Sequence, residues 1–296
     1  MIEKLSPSRI VFNVLNYGFM IAFGIVCILP IWHVAMASIS DPRLLMSSSG
    51  ILLKPLGKIT MEGYKLVLEN KNILVGYANT ILYVMFGAVA GAALTAVAGY
   101  LISRKDFKPA KLLAVFILFT MMFNGGLIPT YMVIRGLHMI NTRWAVMIPG
   151  VINAFYIMMM KSGFEQISNS YEESAKLDGA GPVTILFRIL LPLLKANLAV
   201  IILFTVVMQW NSWYPASIYL TKARDLWPLQ LFMRELLIEN DTSKIATSMD
   251  AQNAADMVAN LVKYGVTIVG TLPILCAYPF AQKYFVTGVT LGGVKG

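Results

Sequence analysis

Residues 173–192 read Glu173-Ser-Ala-Lys-Leu-Asp-Gly-Ala-Gly-Pro-Val-Thr-Ile-Leu-Phe-Arg-Ile-Leu-Leu-Pro192 and lie between two long apolar stretches. The pair Asp178-Gly179 is a turn signal, because glycine adopts the left-handed backbone that ends a helix. Pro182 suits the first turn of a second helix, since its missing N–H would have no partner there. A loop that only reverses the chain needs a few turn residues. This pattern therefore predicts a folded helix-turn-helix with a role on the water side of a membrane.

The two helices of this segment have predicted bounds. The first is expected over residues 164–177, and Pro192 is expected to end the second. Four apolar residues at helical spacing give the second helix one apolar face. They are Ile185, Leu186, Ile189 and Leu190. Periodicity alone favours an amphipathic helix that rests on the membrane surface, and docking in a groove of a soluble subunit is the alternative.

The composition is that of an integral membrane protein. Of the 296 residues, 57% are hydrophobic and 13% are charged, whereas a soluble domain is about 25% charged. The apolar blocks are long enough to cross a bilayer, which takes about 20 residues. Membrane topology explains the net charge of +9 better than nucleic-acid binding does, because the basic residues are scattered over short loops. Cys27 and Cys276 lie in apolar segments and predict neither a disulfide nor a metal site.

Six membrane-spanning helices are predicted, within a single membrane domain that covers residues 1–296. The predicted spans are residues 10–38, 73–102, 111–134, 144–160, 197–220 and 266–280. In the second span, small residues recur every four positions and predict close helix packing. They are Gly87, Gly91, Thr95 and Gly99. Residues 60–68 and 226–238 predict short amphipathic helices outside the membrane, either as a lid or docking surface or as helices lying on the interface.

Basic residues in short loops predict which side of the membrane is cytoplasmic. An even number of spans places both termini on one side, which then holds 12 of the 24 basic residues. They are Lys4, Arg9, Arg104, Lys105, Lys108, Lys111, Lys161, Lys176, Arg188, Lys195, Lys283 and Lys295. The opposite side holds two longer loops of mixed charge, residues 39–72 and 221–263. Both termini and the loop at about 162–193 are therefore predicted to be cytoplasmic.

The sequence lacks the residues expected of a pump or an enzyme. The predicted span cores contain no clear Asp, Glu, Lys or Arg, which proton-coupled carriers usually keep at membrane depth. His33, near the outer end of the first span, fits a hydrogen-bonded structural residue better than a proton relay. No phosphate-binding loop, metal-ligand spacing or nucleophile elbow occurs. The chain is therefore not expected to be an enzyme or to bind a cofactor or metal, and energy for uphill transport would come from a partner.

The segment at 173–192 resembles the cytoplasmic coupling loop of ABC importer permeases. That pattern reads Glu-Ala-Ala-x-x-Asp-Gly-Ala, then Phe, then Leu-Pro, and Ser174 replaces its second residue here. The matching residues are Glu173, Ala175, Asp178, Gly179, Ala180, Phe187, Leu191 and Pro192. The six-span plan and the tail at about 285–296, Phe-Val-Thr-Gly-Val-Thr-Leu-Gly-Gly-Val-Lys-Gly, are similar to the carbohydrate branch, closest to its oligosaccharide subfamily, which includes some uronate-containing substrates. The resemblance favours docking on a partner over a helix at the membrane surface.

The resemblance implies an all-α fold, that of a type I ABC importer permease in the bacterial inner membrane. In that family two related permeases pair, and each loop docks into one subunit of an ATPase dimer that binds ATP and Mg. An extracytoplasmic solute-binding protein delivers the sugar, and the C-terminal tail of one permease reaches the ATPase interface. The ATPase-coupling residues implied are Glu173, Ala175, Asp178, Gly179, Ala180, Phe187 and Pro192. The loop does not distinguish sugars from amino acids, peptides or another solute, and a stand-alone facilitator would leave it unexplained.

A sugar pathway is predicted around the fifth span, because aromatic faces and amide groups hold sugars and amides facing lipid would be unfavourable. The candidates in that span are Gln209, Trp210, Asn211, Trp213 and Tyr214; the third and fourth spans add Asn124, Asn153 and Tyr156. Interhelical hydrogen bonds and an aromatic belt explain the same residues. Arg135 and Arg143 near the outer face favour an acidic sugar, and contacts to lipid headgroups or the binding protein explain them equally.

Overall fold

The computed structural model of the chain describes residues 7–242, 260–277 and 279, and every regular element within them is helical. In chain order the helices are α1 (Pro7–Ser38), α2 (Pro42–Ser47), α3 (Glu62–Glu69), α4 (Lys71–Ser103), α5 (Ala110–Met122), α6 (Leu127–Gly136), α7 (Trp144–Met147), α8 (Ala154–Glu165), α9 (Asn169–Leu177), α10 (Pro182–Thr184), α11 (Leu191–Leu193), α12 (Lys195–Trp210), α13 (Tyr214–Tyr219), α14 (Leu229–Thr242) and α15 (Asn260–Ala277). A π-helical turn at Ile185–Leu190 joins α10 to α11, and a 3₁₀ turn at Arg224–Leu226 precedes α14. The predicted C-terminal tail lies outside the described residues.

The chain divides into two compact units, and the candidate site lies in one of them. The first unit is Met1–Asn70 with Glu235–Thr271, and the second is Lys71–Arg234 with Leu272–Gly296. The prediction of one membrane domain over residues 1–296 stays a prediction.

Among the described residues, three single helices, α1, α4 and α15, are long and apolar enough to cross a membrane, and two bent helix pairs raise the number to five at most. The bends are 117° between α5 and α6 and 85° between the segment Pro182–Leu193 and α12. The chain is therefore a multi-pass membrane protein, whereas the count of six spans stays a prediction.

The first two predicted spans are unbroken helices, but the third, fourth and fifth are interrupted. The third breaks at Gly125-Gly126, where Gly126 has a φ of 83° that favours glycine. The fourth breaks between α7 and α8, around Pro149-Gly150. The fifth breaks after α12, and Pro215 occupies the start of α13. Apolar composition identified the spans, but it carries no signal for these breaks, which glycine and proline produce locally.

Helix α4 is the central helix of the second unit, and its small residues allow close packing. A Cβ on Gly91 would lie 2.7 Å from the Val151 carbonyl oxygen, and one on Gly99 would lie 2.8 Å from the Met160 Cβ. Thr95, between them on the same face, is 1% exposed. The packing stripe predicted in the second span is therefore confirmed.

The Lys71 end of α4 is fixed to residues 225–229 by hydrogen bonds between neutral groups. Asn79 Nδ2 donates to the carbonyl oxygens of Asp225 at 2.8 Å and Trp227 at 3.1 Å. Tyr83 donates its hydroxyl to the Leu226 carbonyl at 2.7 Å. The Leu229 N–H donates to the Thr80 hydroxyl at 2.8 Å.

The helix predicted at 226–238 begins instead at Leu229, and its first turns are packed on more than one face. Leu229, Leu231, Phe232 and Met233 are all buried. A helix that simply lies on the membrane interface would bury one face only, so this segment is packed on the protein, and its role as a lid or docking surface stays a prediction.

In the first unit, α1 is exposed along most of its length and is held at its C-terminal end. The His33 Nδ1 accepts the Leu52 N–H at 3.0 Å, and the ring meets Tyr264 edge-on at 6.0 Å between centroids. The Ser38 and Tyr64 hydroxyls are 2.7 Å apart. His33 is therefore a structural hydrogen-bonding residue. Helix α3 (Glu62–Glu69) corresponds to the amphipathic helix predicted over residues 60–68. The Glu62 N–H donates to the Thr60 hydroxyl at 3.2 Å.

Candidate functional site: the elbow and the membrane cavity

Residues 168–193, here called the elbow, form the predicted helix-turn-helix, with a different start from the one predicted. The prediction of a first helix from residue 164 is wrong, because Phe164 and Glu165 end α8. Ser168 has an extended backbone (φ −61°, ψ 136°), and its side chain accepts the Ser170 N–H, so that it caps a new helix, α9. Phe164 is fully buried against Tyr100, at 5.6 Å between ring centroids. Burial of this aromatic ring holds α8 to the core, and the chain turns afterwards.

Gly179 ends α9 in a left-handed conformation with a φ of 79°. The Ala180 N–H donates to the Ala175 carbonyl at 2.9 Å, and the Gly179 N–H donates to the Lys176 carbonyl at 3.0 Å. These two bonds are those of a Schellman motif. Among the described residues, no atom would lie within 4 Å of a Cβ at Gly179. Backbone conformation, not space, therefore favours glycine here.

The second helix of the elbow begins at Pro182, as predicted, and turns through 85° into α12. Its helical path includes the π-helical turn, which precedes Pro192. A proline removes an N–H from the α-helical ladder, and π-turns occur at such interruptions. The helix ends at Leu193, one residue beyond the predicted exit. Ile185, Leu186 and Leu190 are buried in a core with Tyr100 and Phe164, which confirms the predicted apolar face.

The opposite face of the elbow is exposed and rich in large apolar side chains. Leu177 is 89% exposed, Val183 is 71% exposed, and Tyr171 and Phe187 are also exposed. Large apolar side chains that are exposed outside a protein core can mark an interaction surface. These four residues, here called the apolar face, lie on both helices of the elbow.

The predicted coupling residues divide between the two sides. Ala175 is buried in the core and Ala180 is half-buried against it. The exposed ones are Glu173, Asp178, Gly179, Phe187 and Pro192. Thus the elbow presents five of the predicted residues to its surroundings and uses two for packing.

An ion-pair network, which the sequence did not predict, fixes the inner side of α9; its Arg104–Glu172 contact is buried, whereas Lys176 and Asp106 are exposed. The Glu172 carboxylate contacts the Arg104 guanidinium, and its Oε1 lies 3.0 Å from Lys176 Nζ. Lys176 Nζ also lies 3.6 Å from an Asp106 carboxylate oxygen. Arg104 directly follows α4, and its guanidinium lies 4.8 Å from the centre of the Tyr100 ring. The spacing of Glu172 and Lys176, four residues apart on a helix, was the available signal for part of this network.

A cavity of about 280 Å³ lies among α4, α8, α12 and the breaks of the fourth and fifth spans. Three predicted pathway residues line it: Gln209, Asn153 and Tyr156. Asn153 also caps α8, since its Oδ1 accepts the Phe155 N–H at 2.9 Å. Tyr156 donates its hydroxyl to the Met208 sulfur at 3.1 Å. The lining also includes the hydroxyl residues Thr95 and Thr205 and carries no charged side chain, so it suits neutral polar groups.

The other five predicted pathway residues lie outside that lining. Trp210 is 7% exposed and faces the Tyr77 ring at 6.0 Å between centroids. Asn211 donates its side-chain amide to the Val207 carbonyl of its own helix at 2.8 Å.

Trp213 contacts Tyr214 and has the Arg234 guanidinium 4.1 Å from its ring centre. Asn124 accepts the Gly126 N–H at 2.8 Å in the break of the third span. Each of these side chains therefore has a local structural contact. In the described part of the chain, no group of three or more His, Cys, Asp or Glu could hold a metal ion.

Comparisons with known proteins place these features in context. Residues 97–290 match the family model described as "Binding-protein-dependent transport system inner membrane component". The chain is 33% identical over 290 residues to the polygalacturonan/rhamnogalacturonan transport system permease protein YtcP of Bacillus subtilis (strain 168), covering 96% of this chain and 98% of that protein. It is 33% identical over 286 residues to Protein LplC of the same organism, covering 97% and 95%. A solved structure of a bacterial ABC transporter involved in the import of the acidic polysaccharide alginate contains a similar chain, with 29% identity, a TM-score of 0.83 and coverage of 95% and 99%.

Proposed function

The chain belongs to the family of binding-protein-dependent transport system inner membrane components and is a permease subunit of an ABC importer; on that premise, we propose that it forms half of the translocation pathway for an acidic oligosaccharide. Its partners in this proposal are a second related permease, an ATPase dimer that binds ATP and Mg, and an extracytoplasmic solute-binding protein. Both termini and the elbow face the cytoplasm in this arrangement.

The apolar face of the elbow is the observation that carries this proposal. An exposed apolar surface on a pair of short helices needs a partner, and the opposite side of the same helices is already packed in the core. The ATPase is the partner that the family supplies. The elbow then transmits the movement of the ATPase dimer to the spans, with Glu173, Asp178 and Phe187 at the contact.

An acidic sugar is supported from two directions. YtcP is named for polygalacturonan and rhamnogalacturonan, and the similar solved structure for the acidic polysaccharide alginate. On this chain, Arg135 and Arg143 are exposed on the α6–α7 segment. The cavity at Gln209, Asn153 and Tyr156 offers amide and hydroxyl groups for sugar hydroxyls. We assign these three residues to the pathway.

The coupling role is tested with a matched pair of substitutions at Gly179. Valine is strained in the left-handed region, where asparagine is tolerated. We expect Gly179→Val to remain in the membrane with its partner permease but to lose uptake of oligogalacturonate, while Gly179→Asn retains it. Both are measured in vesicles that contain the whole complex, together with ATP hydrolysis. Unchanged uptake by Gly179→Val would contradict the coupling role of the elbow.

The pathway role is tested at the cavity. We expect Gln209→Ala to change the concentration of oligogalacturonate that gives half-maximal uptake, without changing the amount of assembled complex. Asn211→Ala is the control, because Asn211 is bonded to its own helix. Uptake by Gln209→Ala equal to that of the control would remove the cavity from the pathway. Competition by an amino acid or peptide, with no competition by sugars, would replace the sugar with another solute.

A further inference from the structure

We propose that Arg104 and Glu172 form an ionic latch that makes the elbow and α4 move as one body during transport. The inference rests on the proposed function, because the latch matters only if the elbow transmits movement from the ATPase. It assigns a positioning role to two residues outside the coupling-loop pattern. Neither residue belongs to the apolar face.

The latch is a desolvated contact between two elements that are distant in sequence. The Arg104 and Glu172 side chains are 13% and 9% exposed. The second cation on Glu172 is Lys176, and Arg104 also lies over the Tyr100 ring. Charges at this depth are stable only when paired, so the ion pair is maintained while the two elements stay in contact.

The latch adds direction to an interface that is otherwise apolar. Ala175 and Leu186 of the elbow pack in one core with Ala96 and Tyr100 of α4. Apolar contacts are non-directional and allow one surface to slide on another. A charge-assisted contact between a guanidinium and a carboxylate fixes both distance and orientation. The combination holds the register of the elbow on α4.

Helix α4 is suited to receive such a movement. It is unbroken for 33 residues from Lys71 to Ser103, whereas the third, fourth and fifth predicted spans are interrupted. A rigid helix carries a displacement from one end to the other, and interrupted segments absorb it as bending. Within residues 71–234, α4 is the one predicted span that is unbroken, and the latch joins the elbow to it.

The first test measures whether the elbow and α4 move together, and it needs no knowledge of the substrate. Spin labels are placed at Ser174 on α9 and Leu101 on α4, both exposed, after Cys27 and Cys276 are replaced by serine. The distance between the labels is measured in the purified complex, without nucleotide and with ATP and vanadate. We expect the same distance distribution in both states. A nucleotide-dependent change in the unmodified latch would overturn the proposal.

The second test removes the charges in pairs, to avoid leaving one buried charge alone. In Arg104→Met/Glu172→Met, we expect the distance distribution to broaden with nucleotide and the oligogalacturonate imported per ATP hydrolysed to fall about fivefold or more, as is typical of a lost coupling contact. Arg104→Lys keeps a cation and is expected to restore part of that ratio. Lys161→Met is the control, because it breaks an ion pair within one helix.

The outcomes separate the latch from the function on which it rests. If the double variant assembles with the ATPase and keeps both the distance and the import ratio, the latch proposal is wrong and the coupling role of the elbow is untouched. If the unmodified chain purifies without any ATPase, the proposed function itself fails. A double variant that does not assemble is replaced by Arg104→Lys. A partly reduced import ratio with a distance distribution that broadens with nucleotide would support the latch. Full import together with a nucleotide-dependent distance change would refute it.

Discussion

The two ends of α4 are held by different chemistry. At the Lys71 end, Asn79, Thr80 and Tyr83 make hydrogen bonds between neutral groups to residues 225–229. At the Ser103 end, Arg104 contacts Glu172 in a buried ion pair. One end therefore holds an adjacent loop through its backbone, and at the other end the polar contact with the elbow converges on a single carboxylate, beside the apolar core that the two share.

The difference indicates how each end responds to a change of one side chain. The neutral contacts are spread over three residues of α4, so that loss of one leaves the others in place. The ionic contact converges on Glu172. Loss of Arg104 leaves this buried carboxylate with Lys176 as its remaining cation. We expect each substitution at the neutral end to lower the free energy of unfolding by a small amount, and a single substitution at the ionic end to lower it by a large amount.

The largest expected effect comes from Arg104→Met. Breaking a buried pair from one side costs about 3–5 kcal/mol, and we expect a loss of about 3 kcal/mol because Lys176 still faces Glu172. The free energy of unfolding is measured in mixed micelles. The control is Arg104→Met/Glu172→Met, which leaves no unpaired carboxylate and is expected to recover most of the loss. If the double variant were as unstable as the single one, packing of the Arg104 stem rather than its charge would explain the effect.

An intermediate effect is expected for Asn79→Leu. The substitution removes two hydrogen bonds and leaves two loop carbonyls without that donor, which costs about 2 kcal/mol. Asn79 is 4% exposed, so water does not readily replace it. We expect this loss in unfolding measurements, with an unchanged amount of sugar imported per ATP. A changed import ratio would show that the neutral end also takes part in coupling.

A smaller effect is expected for Tyr83→Phe, which keeps the ring and removes the hydroxyl. It loses the hydrogen bond to the Leu226 carbonyl and the contact of the hydroxyl with the Arg143 side chain, a change of about 1 kcal/mol. The ring stays in its core with Val146 and Leu220. Unfolding measurements on Tyr83→Phe and Asn79→Leu together test additivity, because both hold residues 225–227. A combined loss larger than the sum would indicate that the loop detaches cooperatively.

Local patterns in the sequence predicted the elbow and the α4 packing stripe well. Asp178-Gly179 and Pro182 have backbone requirements that few other structures meet, so their order predicted the turn and the second helix. The four-residue repeat from Gly87 to Gly99 likewise has a direct meaning on a helix surface. In each case the signal and its structural cause lie within a few residues.

Contacts between distant segments could not be predicted from the sequence. Arg104 and Glu172 are separated by two interrupted spans, and Arg104 alone has the same appearance as any basic residue beside a membrane. The pathway prediction used polarity at membrane depth, which did not separate Gln209, in the cavity lining, from Asn211, bonded to its own helix. The two residues are close in sequence but have different surroundings, and these surroundings are set by tertiary packing.

The smallest effect is expected for Lys161→Met, which tests whether burial or charge alone makes the ionic end of α4 sensitive. Lys161 and Glu165 lie 2.6 Å apart on α8, and Glu165 is 47% exposed. An exposed pair four residues apart stabilises a helix by about 0.3–0.5 kcal/mol and is screened by salt. We therefore expect a loss of about 0.5 kcal/mol or less, which disappears at high salt, whereas the loss in Arg104→Met persists because its pair is shielded from solvent. Unfolding of both variants is measured at low and high salt. If salt reduced the two losses equally, the Arg104–Glu172 pair would be solvated, and the contrast between the two ends of α4 would not depend on buried charge.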